Sequence, residues 1–444
     1  MEKKIPKTID SEQLEKGISQ KTQENERIRR TTQTTLEGDT TWDFLRSFSV
    51  KESHEYTHGL HIYPAKIVPQ IARELIAKLS TPLSVVLDPF CGSGTVLVES
   101  LMSNRNAVGV DINTLALLVA RVKTTPISPE IIFENLNLLV DNVKKLSKEN
   151  LPTQQKLSIE KIPNIYHWFK PYVAEDLGFL RTAIQEITDQ TIQNFFYVCF
   201  SSTMYHVSNI RKADNPYFIR ILHQEEMKKH KPQVLDQFIK TVKQSSKALK
   251  SIQGAKKHAT WIKIFNASTK DLTSLIGNET VDLIVTSPPY GEEKNTMDYA
   301  RFSKLSMYWL GLDGKQVKEM KMNALGSTLR HWEQCELASK TLGERLEEIS
   351  KKSQQRADEV YSFFCDYLIC LRQMFEVTKH GGNCCIVIGD RTASGVSIPN
   401  GKITSELCED VGFTTIENVQ RKMYLRALRS NVIASENVLI VRRP

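Results

Sequence analysis

One stretch of the sequence, residues 83–111, limits the possible folds more than any other. Residues 83–87 are a short apolar run typical of a buried parallel strand. A loop with the sequence DPFCGSGT (88–95) follows it, and a helix is predicted to begin at its end. A second strand, AVGVD, ends at Asp111, and another helix is predicted directly after it. This β-loop-α-β-α order predicts an α/β protein with a doubly wound sheet.

The chain of 444 residues divides into four segments by sequence pattern. Residues 1–52 are polar and predict a partly ordered arm, and residues 53–123 contain the strand–loop–helix unit. Residues 124–257 carry long helical patterns and almost no strand signal, so they predict a helical insert. Strand patterns resume in residues 258–444, which include WIKIFNAS, VDLIVTSPPYG, GGNCCIVIGD and a closing strand. The expected architecture is one sheet with a mainly helical insertion.

Composition excludes several classes of protein. Hydrophobic residues make up 40% and charged residues 25% of the chain, which is ordinary for a globular protein and excludes wholesale disorder. No apolar run is long enough to cross a bilayer, and the N-terminus lacks the apolar segment of a signal peptide. The eight cysteines show no metal-binding spacing, which predicts reduced thiols and no metal site. We expect a cytoplasmic protein, and the net charge of +8 is compatible with a polyanionic partner.

The loop after the first strand is suited to a nucleoside cofactor. Gly92 and Gly94 allow a sharp turn and the close approach of a ligand, and the helix after them offers free N–H groups. At Asp111 a carboxylate can accept both hydroxyls of a ribose. The third glycine of a dinucleotide site and the lysine of a P-loop are both missing. Asp88 would repel a pyrophosphate but suits a cationic amino-acid group, which favours S-adenosylmethionine.

A second loop, TSPPYG (286–291), follows the apolar strand VDLIVT. Two consecutive prolines end the strand and fix the backbone at its carboxyl end, where α/β folds bind ligands. The exocyclic amine of cytosine or adenine is a poor nucleophile because its lone pair is delocalised into the ring. We expect the Ser287 hydroxyl and the Pro288 carbonyl to accept its two hydrogens. Tyr290 would lie against a base that has swung out of the helix.

Together, DPFCGSGT and TSPPYG resemble motifs I and IV of the S-adenosylmethionine-dependent DNA amino-methyltransferases. HIYPAK (61–66) resembles their motif X, and GVDIN (109–113) resembles their motif II. The serine before PPY is typical of the cytosine-N4 group, whereas the adenine-N6 group more often has Asp or Asn there. The resemblance covers roughly residues 53–123 and 258–444. It implies a class I methyltransferase, Rossmann-like fold whose last strand is antiparallel.

The same resemblance implies a function and a setting. The substrate would be double-stranded DNA, from which the target base is flipped. The usual setting is a bacterial restriction–modification system, with a cognate restriction endonuclease that recognises the same site. We therefore expect a bacterial protein that associates with the nucleoid through DNA and acts as a monomer.

Site residues follow from the resemblance by position. The catalytic pocket is expected to consist of Ser287, Pro288, Pro289 and Tyr290. Cofactor contacts are expected from motifs X, I and II and from the third strand, namely Tyr63, Pro64, Lys66, Asp88, Phe90, Cys91, Gly92, Gly94, Thr95, Asp111, Ile112 and Asn266. Asn266 stands where family members commonly carry an acidic residue that meets the adenine amine. Its amide oxygen can accept the same hydrogen bond.

We expect the helical insert to contact DNA. Residues 225–257 contain nine lysines and three acidic residues, and four of the lysines recur at helical spacing, so they share one face. The residues expected to bind DNA are Arg211, Lys212, Lys240, Lys243, Lys247 and Lys250. A lysine-rich face that contacts only solvent is also common on helices, so that alternative stays open. Further candidates are residues 291–357 and a C-terminal basic cluster of Arg421, Lys422, Arg426 and Arg429.

The sequence favours a cytosine-N4 methyltransferase of duplex DNA. Adenine-N6 methylation by the same scaffold is the nearest alternative, and methylation of an RNA or protein amide nitrogen is a second. A DNA-binding module without activity is a third, although the intact SPPY loop and Asp111 argue against it. The recognition sequence does not follow from the residues alone, because base contacts depend on which loop enters which groove.

Overall fold

The computed structural model describes residues 42–45, 48–63, 66–149, 153, 159–211, 220–255, 260–291, 299–329, 335–422 and 435–444. Its centre is a seven-stranded sheet, and a two-stranded ribbon lies beside it. The strands in chain order are β1 (Val85–Asp88), β2 (Asn106–Asp111), β3 (Ile262–Asn266), β4 (Val281–Thr286), β5 (Thr378–Gly389), β6 (Arg391–Ala393), β7 (Val396–Ile398), β8 (Thr414–Lys422) and β9 (Ser435–Arg442).

The helices lie on both faces of the sheet and in the insert. In chain order they are α1 (Val50–Ser53), α2 (Pro69–Leu79), α3 (Thr95–Met102), α4 (Thr114–Thr124), α5 (Pro129–Glu149), α6 (Ile165–Trp168), α7 (Pro171–Gln185), α8 (Gln190–Val207), α9 (Gln224–Lys229), α10 (Val234–Lys250), α11 (Leu272–Ile276), α12 (Tyr299–Trp309), α13 (Gly314–Met322), α14 (Lys340–Ser350), α15 (Gln354–Val377) and α16 (Asn400–Val411).

The strand order of the large sheet is β3-β2-β1-β4-β5-β9-β8. Strands β1 to β5 are parallel, and β9 is antiparallel to both of its neighbours. The chain runs outward from β1 to β3 and then returns to the other side of β1 at β4. The point where the strand order reverses therefore lies between β1 and β4, and such a point is where open α/β sheets bind ligands. The predicted Rossmann-like sheet with an antiparallel last strand is confirmed.

Alternate residues of the central strands face two different apolar layers, as the pleat requires. Leu87 and Ile284 pack under α14, α15 and α16, whereas Val86 and Leu283 face α2 on the other side. Both layers are fully buried, which explains why these strands are continuous apolar runs in the sequence. The sheet is thus covered by helices on both faces, and its ligand-binding edge is the one at the carboxyl ends of the strands.

The insert has its own apolar core. Helices α5 to α10 confirm the helical prediction for this part of the chain, and they pack around buried aromatic rings that include Phe196 and Phe238. Trp309 of α12 belongs to the same core, where its ring meets Phe169 and Phe200 at centroid distances of 6.1 and 5.7 Å. Residues after the TSPPYG loop therefore return to the insert and complete its packing.

The end of the expected polar arm is part of the packed fold. Trp42 and Phe44 are buried against α2 and the sheet, and the indole N–H of Trp42 donates to Glu417 Oε2 at 3.0 Å. No disulfide joins any of the eight cysteines, all of which the structure describes, and only Cys335 is not buried. Within the described segments, no helix combines the length and the apolarity that crossing a bilayer requires.

Candidate active site

A cavity of about 530 Å³ lies at the carboxyl ends of the parallel strands. Its wall on the β1 and β2 side includes Phe90, Gly92 and Asp111. Its wall on the β4 side includes Ser287 and Pro289. The two loops that the sequence singled out, almost 200 residues apart in the chain, thus face one shared space.

The two loops are joined directly where β1 and β4 end. The Thr286 hydroxyl donates to Asp88 Oδ1 at 2.7 Å, and the Phe90 N–H donates to the same oxygen at 3.2 Å. Asp88 is only 3% exposed, and this burial raises the pKa of its carboxyl group to about 7. The hydrogen bonds offset part of the cost of burying the carboxylate and fix the relative position of the loops.

Asp111 is oriented by the backbone on both sides. Its Oδ2 accepts the Gly92 N–H and its Oδ1 accepts the Asn113 N–H, each at 2.8 Å. Burial raises the pKa of this carboxyl group, and the two N–H donors act against that shift. The Asn113 side chain caps α4 by accepting the N–H groups of Leu115 and Ala116. The carboxylate therefore has a fixed direction and faces the cavity.

Glycine is required in the first loop for two different reasons. Gly94 has φ of 79°, and a Cβ there would lie 2.8 Å from the Ala120 Cβ, so the loop packs tightly against α4. Gly92 has φ of 47° and lines the cavity, where a Cβ would lie 3.4 Å from Tyr63 Cε1. The lack of a side chain at Gly94 thus allows close packing against α4, and the lack of one at Gly92 keeps the cavity wall open.

The segment resembling motif X reaches the same cavity through Tyr63. Its hydroxyl accepts a hydrogen bond from the Asn113 amide at 3.2 Å, and its ring lines the cavity. Lys66 lies behind this wall, where its ammonium donates to the His58 carbonyl at 3.1 Å. Burial lowers the pKa of Lys66 to about 8. Pro64 lies outside the described residues.

Several predicted cofactor residues lie behind the cavity wall. The cavity is lined by Phe90, Gly92, Asp111 and Ile112. It is not lined by the other residues of the first loop that were expected there, namely Asp88, Cys91, Gly94 and Thr95. Cys91 instead packs beside Gly109, where an added Cβ would lie 2.9 Å from the sulfur. These residues shape the loop from within.

The third strand differs from the expectation at one residue. Asn266 pairs in register with Asp111, but its side chain is exposed and does not line the cavity. Ala267, Ser268 and Thr269 line it instead, because the chain turns inward directly after the strand. The Thr269 hydroxyl donates to the Pro89 carbonyl and so attaches this turn to the first loop. Asn266 therefore lies outside the cavity in which the sequence placed it, and the three residues after it line that cavity.

The TSPPYG loop presents alternate residues to the cavity. Ser287, Pro289 and Gly291 line it, while Pro288 is buried and Tyr290 packs partly against the apolar layer below α15. Successive side chains of an extended segment point to opposite sides, which accounts for this alternation. The Tyr290 hydroxyl lies 3.4 Å from Ser287 Oγ, and burial raises the pKa of the phenol. Tyr290 therefore adjoins the serine while its ring does not line the cavity.

The remaining wall was not identified in the sequence as part of the site. It consists of residues 320–327 and of one face of α15 that carries Arg356, Glu359 and Phe363. Residues at positions i, i+3 and i+7 share one helix face, so this wall has a recognisable spacing. Asp366, one turn further, accepts the Gly326 N–H at 2.9 Å and pairs with Lys270 at 3.0 Å. Asp366 therefore ties the helical wall to the turn after β3.

The predicted DNA-binding residues differ in exposure. Lys240, Lys243, Lys247 and Lys250 are all exposed along one face of α10. Arg211 is half-buried beside His223 and Glu226, and Lys212 lies outside the described residues.

Arg421, the first residue of the C-terminal basic cluster, is buried. Arg421 is 7% exposed, pairs with Glu436 at 2.5 Å and donates to the Phe44 carbonyl at 2.8 Å. The expectation that Arg421 contributes to a DNA-binding surface is therefore wrong, because its charge is used inside the fold. Arg426 and Arg429 lie outside the described residues, and nothing is described of the Lys422 side chain. Across the described segments, no group of three or more His, Cys, Asp or Glu is arranged to hold a metal ion.

The strand order and the cavity at its reversal point define a Rossmann-like α/β fold with a candidate ligand site. A family model described as DNA methylase matches residues 1–120 of this chain. The type II methyltransferase M.MvaI of Kocuria varians is 30% identical over 387 residues, which cover 83% of this chain and 84% of that protein. The chain therefore belongs to the N4/N6 family of DNA methyltransferases, and its substrate is DNA.

Other similarities are weaker. The type II methyltransferase M.MjaII of Methanocaldococcus jannaschii is 22% identical over 344 residues, 57% of this chain and 62% of that protein. Among solved structures, the rRNA methyltransferase aviRa of Streptomyces viridochromogenes is 12% identical with a TM-score of 0.33 over 91% of this chain and 97% of that one. At that TM-score the structural similarity bears on neither fold nor function.

A methyltransferase of this family uses S-adenosylmethionine, and the residues that line the cavity fit it. The oriented Asp111 carboxylate offers acceptors suited to a ribose. Phe90, Ile112 and Ala267 supply apolar surface suited to a flat base. S-Adenosylmethionine is therefore the cofactor of this protein.

Proposed function

We propose that this protein transfers a methyl group from S-adenosylmethionine to the N4 amine of cytosine in double-stranded DNA. The observation that carries the proposal is the shared cavity, which Asp111 lines at the end of β2 and Ser287 lines at the end of β4. The cofactor supplies an electrophilic methyl group bound to a sulfonium. The serine before PPY favours cytosine over adenine, because it is typical of the N4 group.

The cofactor half is proposed to work through a few residues that line the cavity. Asp111 would hold the ribose, and Ile112 and Ala267 would lie against the adenine. Ser268, with a hydroxyl next to the exposed Asn266, is the better candidate for a polar contact on that side. Asp88 and Lys66 would act indirectly, since the first fixes the loop and the second supports the segment around Tyr63.

The catalytic half is proposed to activate the base amine by hydrogen bonding. The Ser287 hydroxyl and the Pro288 carbonyl would accept hydrogen bonds from its two hydrogens, which frees the nitrogen lone pair to form a bond to the methyl carbon as the methyl–sulfur bond breaks. The sulfur would leave as a neutral thioether, and the amine would lose one proton to solvent. Tyr290 would act indirectly by orienting the serine hydroxyl, which lies 3.4 Å from its own hydroxyl. Pro289 would close one side of the pocket.

DNA is proposed to lie along the insert as well as over the cavity. The exposed lysine face of α10 suits phosphate contacts, which position a duplex without specifying its sequence. We also propose the division into an arm (1–52), a cofactor half (53–123), an insert (124–257) and a catalytic half (258–444).

The biological setting is proposed from the relatives. Two of the similar proteins are named as type II methyltransferases. We infer a modification enzyme of a restriction–modification system, which acts as a monomer beside a cognate endonuclease in the bacterial cytoplasm.

The test is to identify the methylated nucleoside. Purified protein is incubated with labelled S-adenosylmethionine and a duplex plasmid that lacks methylation, and the DNA is hydrolysed and analysed by mass spectrometry. We expect labelled 4-methylcytosine from the wild-type protein and at least about 100-fold slower formation of it by Ser287→Ala. Labelled 6-methyladenine would replace the proposal with the adenine alternative. Label in an RNA of the same sequence, and not in DNA, would refute it.

A further inference from the structure

We propose that Arg391 and Asn400 are positioning residues for catalysis. They form a loop clamp, which is defined here as these two side chains. The loop clamp holds the backbone just after Pro289 and thereby aims the acceptors at Ser287 and Pro288 toward the cavity. The inference rests on the proposed function of residues 287–290, and neither clamp residue lines the cavity itself.

Asn400 joins the catalytic loop to the neighbouring strand. It is the first residue of α16 and is fully buried. Its amide nitrogen donates to the Tyr290 carbonyl at 3.2 Å and to the Gly389 carbonyl at 2.9 Å. An amide has two N–H hydrogens, so both are committed to these two carbonyls. The end of β5 therefore fixes the direction of the Tyr290 carbonyl.

Arg391 holds the next carbonyl. It is 4% exposed, and its guanidinium donates to the Gly291 carbonyl. The guanidinium lies over the rings of Phe363 and Phe364 at 5.2 and 5.9 Å, which is suited to cation–π contacts. The charge is thus held between the catalytic loop and α15.

Gly291 shows how closely the guanidinium and the loop approach each other. It has φ of 82°, and an added Cβ would lie 2.8 Å from Arg391 Cζ. A side chain there would displace the guanidinium or strain the backbone. Contact with the clamp therefore explains why glycine follows SPPY, for which the chemistry of the base gives no reason.

The clamp stands on a fixed support. Asp390, the residue before Arg391, accepts the Gly401 N–H and the Asn437 amide through one oxygen, each at 3.2 Å. Gly401 in turn leaves no room for a Cβ, which would lie 2.4 Å from the Asn437 side chain. Strand β9 thus supports the start of α16, and the position of Asn400 is defined by the sheet.

Positioning of this kind affects turnover more than binding. The proposed acceptors must meet two hydrogens of one amine, and a displacement of about 1 Å can lower the rate about 100-fold. The cofactor, in contrast, is proposed to contact the β1 and β2 side of the cavity. Loss of the clamp should therefore lower kcat and leave the affinity for S-adenosylmethionine unchanged.

The experiment uses matched variants of the full chain. Asn400→Asp keeps the shape of the side chain but replaces the donating NH₂ with an acceptor, and Arg391→Met removes the charge and the donors. Arg391→Lys keeps a charge and one donor and should restore part of the activity. Lys402→Ala, on the exposed side of α16, is the control. We measure kcat on duplex DNA, the Kd for S-adenosylmethionine by calorimetry, and the thermal midpoint.

We expect kcat to fall at least about 10-fold in Asn400→Asp and Arg391→Met, with the cofactor Kd within about 2-fold of wild type. Arg391→Lys should lie between Arg391→Met and wild type. An unchanged kcat, or losses of kcat and cofactor affinity that track a lower thermal midpoint, would overturn the inference. If Asn400→Asp does not fold, the two Arg391 variants decide it.

Failure of the clamp can be distinguished from failure of the proposed function. If the wild-type protein methylates adenine, the cytosine assignment fails, and the same kcat and Kd measurements are made on that base. If the wild-type protein methylates cytosine and the variants show no selective loss of kcat, only the clamp is refuted.

Discussion

The two walls of the cavity differ in what fixes them. The strand-end wall is fixed by the pairing of parallel strands. It consists of Pro89, Phe90, Gly92, residues 111–113, residues 267–269, Ser287, Pro289 and Gly291. The helical wall consists of residues 320–327 and the Arg356, Glu359 and Phe363 face of α15. It is fixed by side-chain contacts between segments far apart in the chain. Short motifs therefore predict the first wall and do not predict the second.

Register explains the behaviour of the strand-end wall. Leu87 pairs with Ile284, so the loops after β1 and β4 emerge side by side. Backbone pairing needs no particular side chain, and any sequence that forms these strands brings the loops together. We expect substitutions on this wall to remove chemistry or binding while the fold persists.

Asp366 explains the behaviour of the helical wall. Its carboxylate is 1% exposed and holds the Gly326 N–H and the Lys270 ammonium at the same time. A single side chain thus sets the distance between this wall and the turn after β3. We expect substitutions in the helical wall to make the cavity less rigid and to affect the reaction less than substitutions in the strand-end wall do.

The largest effect is expected from Ser287→Ala on the strand-end wall. Loss of one preorganised acceptor of the base amine should lower kcat by about 100-fold to 1,000-fold. The rate of labelled methyl transfer to duplex DNA measures it. Ser397→Ala removes a hydroxyl from an exposed residue of β7 and should leave kcat unchanged. An equal, small effect of both changes would remove Ser287 from the reaction.

Asp111→Asn should produce the next largest effect, on binding. The new amide keeps one acceptor but sets an NH₂ group against a backbone N–H, and it removes the charge that suits the ribose. Hydrogen bonds to a charged group contribute about 1.5–3 kcal/mol, so we expect the Kd for S-adenosylmethionine to rise about 10-fold to 100-fold. Calorimetry measures it, with the exposed Asp141→Asn as control.

Asp366→Asn tests the helical wall and should have a smaller effect. The amide oxygen can still accept the Gly326 N–H, but the ion pair with Lys270 is lost. We expect the cofactor Kd to rise about 3-fold to 10-fold, the range of a partly buried hydrogen-bonded pair. A loss of cofactor affinity as large as that of Asp111→Asn would mean that the two walls contribute equally to cofactor binding.

The smallest effect on the reaction is expected from the lysine face of α10. Replacing Lys240, Lys243, Lys247 and Lys250 with Gln should leave kcat at saturating DNA and the cofactor Kd unchanged. Affinity for duplex DNA should weaken, and the slope of log Kd against log salt should fall by up to about four, or about one per lost phosphate contact. An unchanged slope would mean that these lysines contact solvent and not the phosphates of DNA.

The comparison of walls also shows how much could be predicted from the sequence. The β1 and β4 loops, Asp111 and Tyr63 were predicted to form one site, and each contributes residues to the cavity. Pro288 and Tyr290 point away from the cavity, and several residues of the β1 loop lie behind its wall, namely Asp88, Cys91, Gly94 and Thr95. The sequence pattern predicts where a strand lies and where it ends. The residue at which the chain then turns toward the cavity depends on packing. This is why Asn266 was expected at the cavity and Ala267 was found there.

Contacts between distant segments account for the other differences. Residues 320–327 carry no motif, and they reach the cavity because α12 and α13 complete the core of the insert. Arg421 looked like part of a surface cluster because its partner, Glu436, follows it by 15 residues on a neighbouring strand. Local sequence does not reveal such pairs before the strand pairing is known.

The most direct measurement of the central claim is a crystal structure of the protein with S-adenosylhomocysteine. We expect its ribose hydroxyls on Asp111 and its sulfur between Gly92 and Ser287, so that the methyl position faces the catalytic loop. A cofactor bound elsewhere, or bound in this cavity with its sulfur turned away from residues 287–291, would contradict the claim that the two loops serve one reaction.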